Sequence, residues 1–325
     1  MDRRTLLRAG MAAPLLPALA APALRAQTFD HVVRIIVPNA PGGTSDILAR
    51  LIAPELGRAL GQNVIVENRA GAGGNIGADF VAKSPPDGHN LLLMDVTTIA
   101  TNPGLFPRLP FDNTRDLAPV TMFIYAPYIL GVANRLPVQD AAGLAAHVKA
   151  ARAPLNAGNS GVGTASHLTL IQLAEFFGKE MTHVPYRGGA PALVAVVSGE
   201  ADLTIAGATQ AQPYAVNNQM RAIAVTGAHR LSTLPNVPTF RELGWPAEDA
   251  GTWQGVMVQG NTPRPMIQRL HEELRRIAAI PAIAARLAEL GAEPRTEGPE
   301  PFRTWLTRET ETYSRLIRDN NIRAE

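Results

Sequence analysis

Three glycine-rich turns, at 41–46, 71–77 and 158–166, are where residue type and spacing in this chain could do chemistry. The first reads Pro41-Gly42-Gly43-Thr44-Ser45-Asp46. It follows an apolar, β-branched run (Val33, Ile35, Ile36, Val37) and precedes a helical pattern opening at Thr44 or Ser45. A strand, a glycine turn and a helix in that order leave free backbone N–H groups aimed at one point. The positive end of the helix dipole aims there too, which suits an anion. A carboxylate could accept from the N–H groups of Gly43, Thr44 and Ser45 and from the two hydroxyls. Gly163, Thr164 and the Ser160 hydroxyl of the third turn could answer from the other side. Ligands of open α/β sheets lie beyond the carboxyl ends of the strands, where such turns collect.

Other chemistries fit the residues less well. Gly71-Ala72-Gly73-Gly74-Asn75-Ile76-Gly77 approaches a dinucleotide fingerprint, but the third glycine would have to stand at 76, which is isoleucine. Lys83, Lys149 and Lys179 are the only lysines and none follows a glycine turn, so there is no phosphate-binding P-loop. Gly158-Asn159-Ser160-Gly161-Val162 lacks the last glycine of a nucleophile elbow. Seven histidines show no ligand-type pairing, and the absence of cysteine excludes disulfides, thiolate catalysis and cysteine-bound metals. The expectation is binding without catalysis, cofactor or metal.

Four further side chains near the turns have two readings each. Asp46 falls in the first turn of a helix, where a carboxylate either favours the dipole or meets a ligand. Asp95 ends a strand aimed at the same region and could accept from a ligand hydroxyl or ammonium, or merely from Thr97 or Thr98. His167 either donates to a ligand or caps a backbone group. Arg187, after Tyr186, is a surface arginine or the partner of a second ligand carboxylate.

The elements that must position these residues alternate strand and helix almost throughout, which predicts parallel sheets with helices on both faces. Strands are expected at 63–67, 91–94, 129–132, 155–159, 183–186, 201–205, 221–225 and 255–258, with an irregular excursion from Pro103 to Pro119. Asp140 is the expected N-cap of a helix through Arg152. A final helix spaces Phe302, Trp305, Leu306, Tyr313, Leu316 and Ile317 three or four apart, a face that should pack back on the first block.

Bulk properties narrow the class. Arg3-Arg4-Thr5-Leu6-Leu7-Arg8, then a proline-broken apolar run and Ala26, read as a twin-arginine export signal over 1–26, cleaved near Ala26. Without it, the formal charge falls from +2 to −1, with 26 basic residues against 27 acidic ones, so nothing argues for nucleic acid. The remaining 299 residues exceed one ordinary core and predict two α/β domains.

The chain resembles one family along essentially its whole length. The resemblance lies in Val37-Pro38 with Pro41–Asp46, in Val66-Glu67-Asn68-Arg69-Ala70 running into the second glycine turn, and in Pro86-Asp87-Gly88-His89. It continues through Asn102-Pro103, Leu109-Pro110-Phe111-Asp112 and Asp116-Leu117-Ala118-Pro119-Val120. Gly161–Thr164 with His167-Leu168, then His183–Gly188 and Leu234–Phe240, complete it. These are similar to the solute receptors of tripartite tricarboxylate transporters, the Bug or TctC-like proteins. The resemblance implies a type II-like, two-domain α/β periplasmic binding protein, a Venus flytrap with two crossing hinge strands. Domain 1 would comprise 27–126 plus 250–325, and domain 2 would comprise 127–249. It implies a small organic carboxylate held by the 41–46 and 160–166 loops, partly through ordered waters, and passed to membrane permease subunits.

The candidate ligand-binding set is Pro41, Gly42, Gly43, Thr44, Ser45, Asp46, Asn75, Asp95, Thr97, Ser160, Gly163, Thr164, Ser166, His167, Tyr186 and Arg187. Departures from the family pattern fall at Asn39, Asp95, Ser166 and Ala206–Thr209, so no solute is named. A periplasmic monomer is expected, with an exported enzyme acting on a related acid, or a ligand sensor for a membrane signalling protein, as the alternatives.

Overall fold

The computed structural model describes residues 28–106, 108–247, 249–319 and 321–323; the expected export signal lies outside them. The organising element is strand β4 (Leu117–Val132), 16 residues long and buried at every position. Its sequence is an almost unbroken apolar run, as a strand covered on both faces requires. At ~3.3 Å per residue it reaches roughly 50 Å, long enough to belong to two sheets.

In the first sheet, β1 (Val33–Val37) lies parallel to β2 (Val64–Asn68) and to β3 (Asn90–Asp95). Next comes β9 (Gly251–Gln259), antiparallel to β3 and, from Leu117 to Pro127, to β4; β10 (Glu293–Glu297) closes the edge. In the second sheet the C-terminal end of β4, from Tyr128 to Val132, pairs antiparallel with β7 (Leu203–Gly207) and with β8 (Arg221–Val225). β5 (Leu155–Asn159) then lies parallel to β7 and to β6 (Met181–Pro185). The chain crosses between the sheets along β4 and returns at the start of β9.

Both sheets are mixed, where the alternating pattern predicts parallel ones. The crossing strands cause the difference: each enters a sheet from the other half of the molecule and meets its neighbours head to tail. For the same reason the expected strand at 129–132 is only the last quarter of β4.

The helices cover both faces. Leu48, Ile52 and Leu56 of α1 (Thr44–Leu60) pack with Ile35, Val37, Leu91 and Leu93 on one face of the first sheet. Alternation sends Ile36, Leu92 and Met94 to the other face. There they meet α2 (Asn75–Ala82), α3 (Val96–Leu105) and the terminal α11 (Pro299–Asp319). Two helices after β9, α9 (Arg264–Ala278) and α10 (Pro281–Glu289), complete the first face. In the second half, α4 (Ala141–Ala150) and α5 (Ala165–Phe177) cover one face with Leu144, Leu170 and Leu173, joined by Phe240 of the short α8 (Phe240–Leu243). The other face carries α6 (Gly189–Ser198) and α7 (Ala208–Val216).

Two local details bear out the physics of caps and breakers. Asp140 accepts from the Gly143 N–H, the cap its position predicted. Pro103, inside the expected irregular stretch, instead sits in the last turn of α3. A proline there cannot donate to the carbonyl of Ile99, and the Asn113 amide does so at 3.2 Å. The terminal helix docks as its stripe predicted, Phe302 and Leu306 buried, with Ser314 Cα so near Gly104 that a Cβ there would come within 3.1 Å.

Candidate ligand-binding site

A cavity of about 650 Å³ opens between the two halves, within the usual range for a small-molecule site. Its wall is built largely from the beginnings of helices. The first turns of α1, α2, α3, α5, α6 and α7, or the residues just before them, all contribute. Two of these ends are capped, α3 by Asp95 and α5 by Thr164. The other four begin at Gly43, Gly74, Gly188 and Gly207 and have no side-chain cap. Their leading N–H groups are unpaired within the helices, so the wall carries repeated partial positive charge without fixed cations.

The first turn is arranged as a rigid cradle. Gly42 adopts φ +85°, a glycine-favouring conformation, and its N–H donates to Asp46 Oδ2 at 3.0 Å. Asp46 also accepts from Arg50 and from Asn68, which reaches on to the carbonyl of Asn39. Burial works against its ionised form, yet the hydrogen bonds from Arg50, Gly42 and Asn68 together outweigh it and hold the carboxyl below its ordinary range. Asp46 therefore braces the loop and lies outside the cavity wall, as do Pro41 and Gly42. Gly43, Thr44 and Ser45 do line it. Ser45 Oγ donates to Gln254 Oε1 at 2.7 Å, and the Thr44 hydroxyl meets that of Thr209 at 2.6 Å.

Across the cavity, the hydroxyls of Ser160, Thr164 and Ser166 form a triangle with sides of 2.7 to 3.1 Å, and all three line the wall. Gly163 and His167 do not. The Gly163 N–H donates to His167 Nδ1 at 3.0 Å, so this pair caps the backbone. Burial, with His183 at its edge, pushes His167 down to about 4 and keeps it neutral. Tyr186 and Arg187 line the cavity as proposed from the sequence. Asn75 and Thr97 stand behind the wall: Asn75 accepts from the Asn102 amide, and the Thr97 N–H caps onto Asp95 Oδ1 at 3.0 Å.

Sequence reasoning missed a large share of the wall. The α6 and α7 starts at Gly188–Pro191 and Ala206–Gly207 carry no polar signature, and Gln210, Thr252 and Gln254 fall outside the strands expected at 201–205 and 255–258. Gly189 was a recoverable signal: a Cβ there would overlap the Gln210 amide, so the glycine leaves room for that side chain as it lies in the wall.

One cluster outside the cavity resembles a metal site. Ligand atoms of Asp30, His31 and His89 lie within 4.8 Å of one another. The two imidazoles, however, stack 3.6 Å apart and 9° from parallel. Lone pairs lying in parallel planes do not converge on one ion. His89 Nδ1 lies 3.1 Å from the Asp87 carbonyl, a packing role in the loop.

Two sheets sharing one long strand, with uncapped helix starts around a cavity between them, define a class: the two-domain α/β solute-binding proteins of Venus-flytrap form. A sequence model described as "Tripartite tricarboxylate transporter family receptor" matches residues 48–322, and the chain belongs to this family. The solved periplasmic binding protein BugD is 30% identical, with a TM-score of 0.85, covering 91% of this chain and 100% of BugD. Rpa4515 of R. palustris, solved with adipate, is 31% identical, with a TM-score of 0.85, covering 90% and 99% of the two chains. MatC from Rhodopseudomonas palustris, solved with bound malate, is 30% identical, with a TM-score of 0.81, covering 88% and 99%. Such family members are solute-binding receptors of the periplasm and not enzymes. Among the described residues, no helix is long and apolar enough to cross a membrane.

Proposed function

We propose that this protein is an extracytoplasmic receptor that closes two domains, 27–126 plus 250–325 and 127–249, over a small organic carboxylate. It then delivers the solute, as a monomer, to the membrane permease subunits of a tripartite tricarboxylate transporter. The observation that carries this reading is the set of four uncapped helix starts around one cavity. Backbone dipoles of that kind stabilise a carboxylate while leaving no acid–base pair to transform it. Adipate and malate in two relatives that match along almost their whole length support the carboxylate class.

A thermal-shift screen of mono-, di-, tri- and aromatic carboxylates tests it. A ligand present at 100 times its dissociation constant adds about 2.7 kcal/mol of stability, a visible rise in melting temperature. No shift with any carboxylate, or steady consumption of one, overturns the receptor reading. Copurification of the liganded protein with its permease subunits tests the delivery step.

A further inference from the structure

We propose that Asp95 selects the solute, so that the cavity takes carboxylates that also carry a protonated amine; this rests on the carboxylate reading above. Asp95 ends β3 and, among the described residues, is the single acidic side chain in the cavity wall, where Arg187, two residues after β6 in the other sheet, is the single cation. The uncapped helix starts and hydroxyls of the wall present donors, so a bare carboxylate would meet one repelling charge there.

A relay of hydrogen bonds fixes what Asp95 offers. Ser45 Oγ donates to Gln254 Oε1, which leaves the Gln254 amide nitrogen to donate to Thr252 Oγ1 at 2.6 Å. The Thr252 hydroxyl hydrogen is then free to turn towards Asp95, whose Oδ1 accepts from the Thr97 N–H at 3.0 Å. The donors therefore run from Ser45 through Gln254 to Thr252, away from the carboxylate-binding turn and on the side of Asp95. None of the donors to Asp95 is cationic. Burial pushes the carboxyl up to about 6, and those hydrogen bonds only partly offset it. At neutral pH the group is still ionised, half-buried, and without a fixed counter-charge.

An ammonium group on the solute supplies that charge. A hydroxyl would satisfy the same lone pairs, but a charge-assisted hydrogen bond is roughly twice as strong as a neutral one, and only a cation cancels the repulsion of the solute's own carboxylate. The uncapped α1 start and Asp95 then form the two poles of a site for a zwitterion, joined through Gln254 and Thr252.

The test is calorimetry on matched pairs: L-glutamate with glutarate, L-aspartate with succinate and malate, and 4-aminobutyrate with butyrate and 4-hydroxybutyrate. At least one amine should bind tenfold or more tightly than both its unsubstituted and its hydroxy partner. Asp95→Asn, which retains an N-capping oxygen for Thr97, should erase that preference and tighten binding of the unsubstituted acids. Equal affinity within every pair, or a preference that survives in Asp95→Asn, overturns the assignment and leaves the carboxylate reading standing. If no acid of either kind binds, the carboxylate reading itself falls, and this one with it.

Discussion

The hydroxyls of Thr44 and Thr209 lie 2.6 Å apart across the cleft, one at the start of α1 and the other in the first turn of α7. Both residues are buried, at 6% and 1% exposure. Of the two hydroxyl hydrogens only one is used between them, so the pair joins the halves and still has a donor to spare. The same face is closed by the Gln212 amide on the Glu289 carbonyl. In the third glycine turn, Gly163 lies so close to Leu105 that a Cβ would overlap it.

Thr209→Val should therefore weaken closure more than folding. Valine keeps the shape but leaves the Thr44 hydroxyl buried without a partner, a loss of about 1–2 kcal/mol in the closed state only. Ligand affinity should fall roughly 5- to 30-fold, and scattering should show a more open average shape at equal ligand. An unchanged affinity would mean that the pair does not contribute to closure.

Gly43→Val addresses the anion end. Gly43 has φ −75°, available to any residue, and its added Cβ would meet only the Ala40 carbonyl, at 3.6 Å. Because Gly43 is the N-cap of α1, where glycine is much preferred to valine, stability should fall by only about 1 kcal/mol and the fold should be retained. The branched side chain would cover the leading N–H groups of α1, so carboxylate binding should be lost. Binding that persists would show that the α1 start is structural.

These two positions differ in how readable they were. The Gly43 turn was legible because a strand, a glycine pair and a hydroxyl-bearing helix start follow one another within ten residues. So were Ser160, Thr164 and the docking stripe of α11. Thr209 and Gln254 were not legible, because what makes them part of the site is a partner 165 or 209 residues away. The mixed sheets escaped for a related reason: strand direction depends on which half the chain comes from, and local periodicity is blind to that. Gly163 shows the opposite failure. Its turn was correctly found, but His167, four residues on, takes its N–H.

Asn113→Ala should separate fold from binding. The Asn113 amide serves the Ile99 carbonyl that Pro103 cannot, and the residue is buried, at 8% exposure. Its loss orphans that carbonyl and should lower stability by about 1–3 kcal/mol. Ligand affinity should be unaltered, since Asn113 is not in the cavity wall. Denaturant titration alongside calorimetry checks both halves of this expectation.

Asp95 and His167 should make the pH profile flatter than either alone would allow. Burial raises the Asp95 carboxyl to about 6 and lowers His167 to about 4, from ordinary values of 3.8 and 6.5. Between pH 4 and 6 the folded protein holds a proton on Asp95 that the unfolded chain has released, so acidification stabilises through this group. Over nearly the same window the unfolded chain protonates His167 while the folded protein does not, so acidification destabilises through that one. Each is worth about 3 kcal/mol, and the two are opposite in sign. Asp95→Asn should therefore unmask the histidine: relative to the parent, its stability should decline from pH 6.5 towards 4. His167→Gln, which keeps a hydrogen-bonding side chain near Gly163, should show the reverse slope. Guanidinium titrations of both variants at pH 4, 5, 6 and 7 measure the two slopes, and parallel profiles in parent and variants would show that neither group titrates differently on folding.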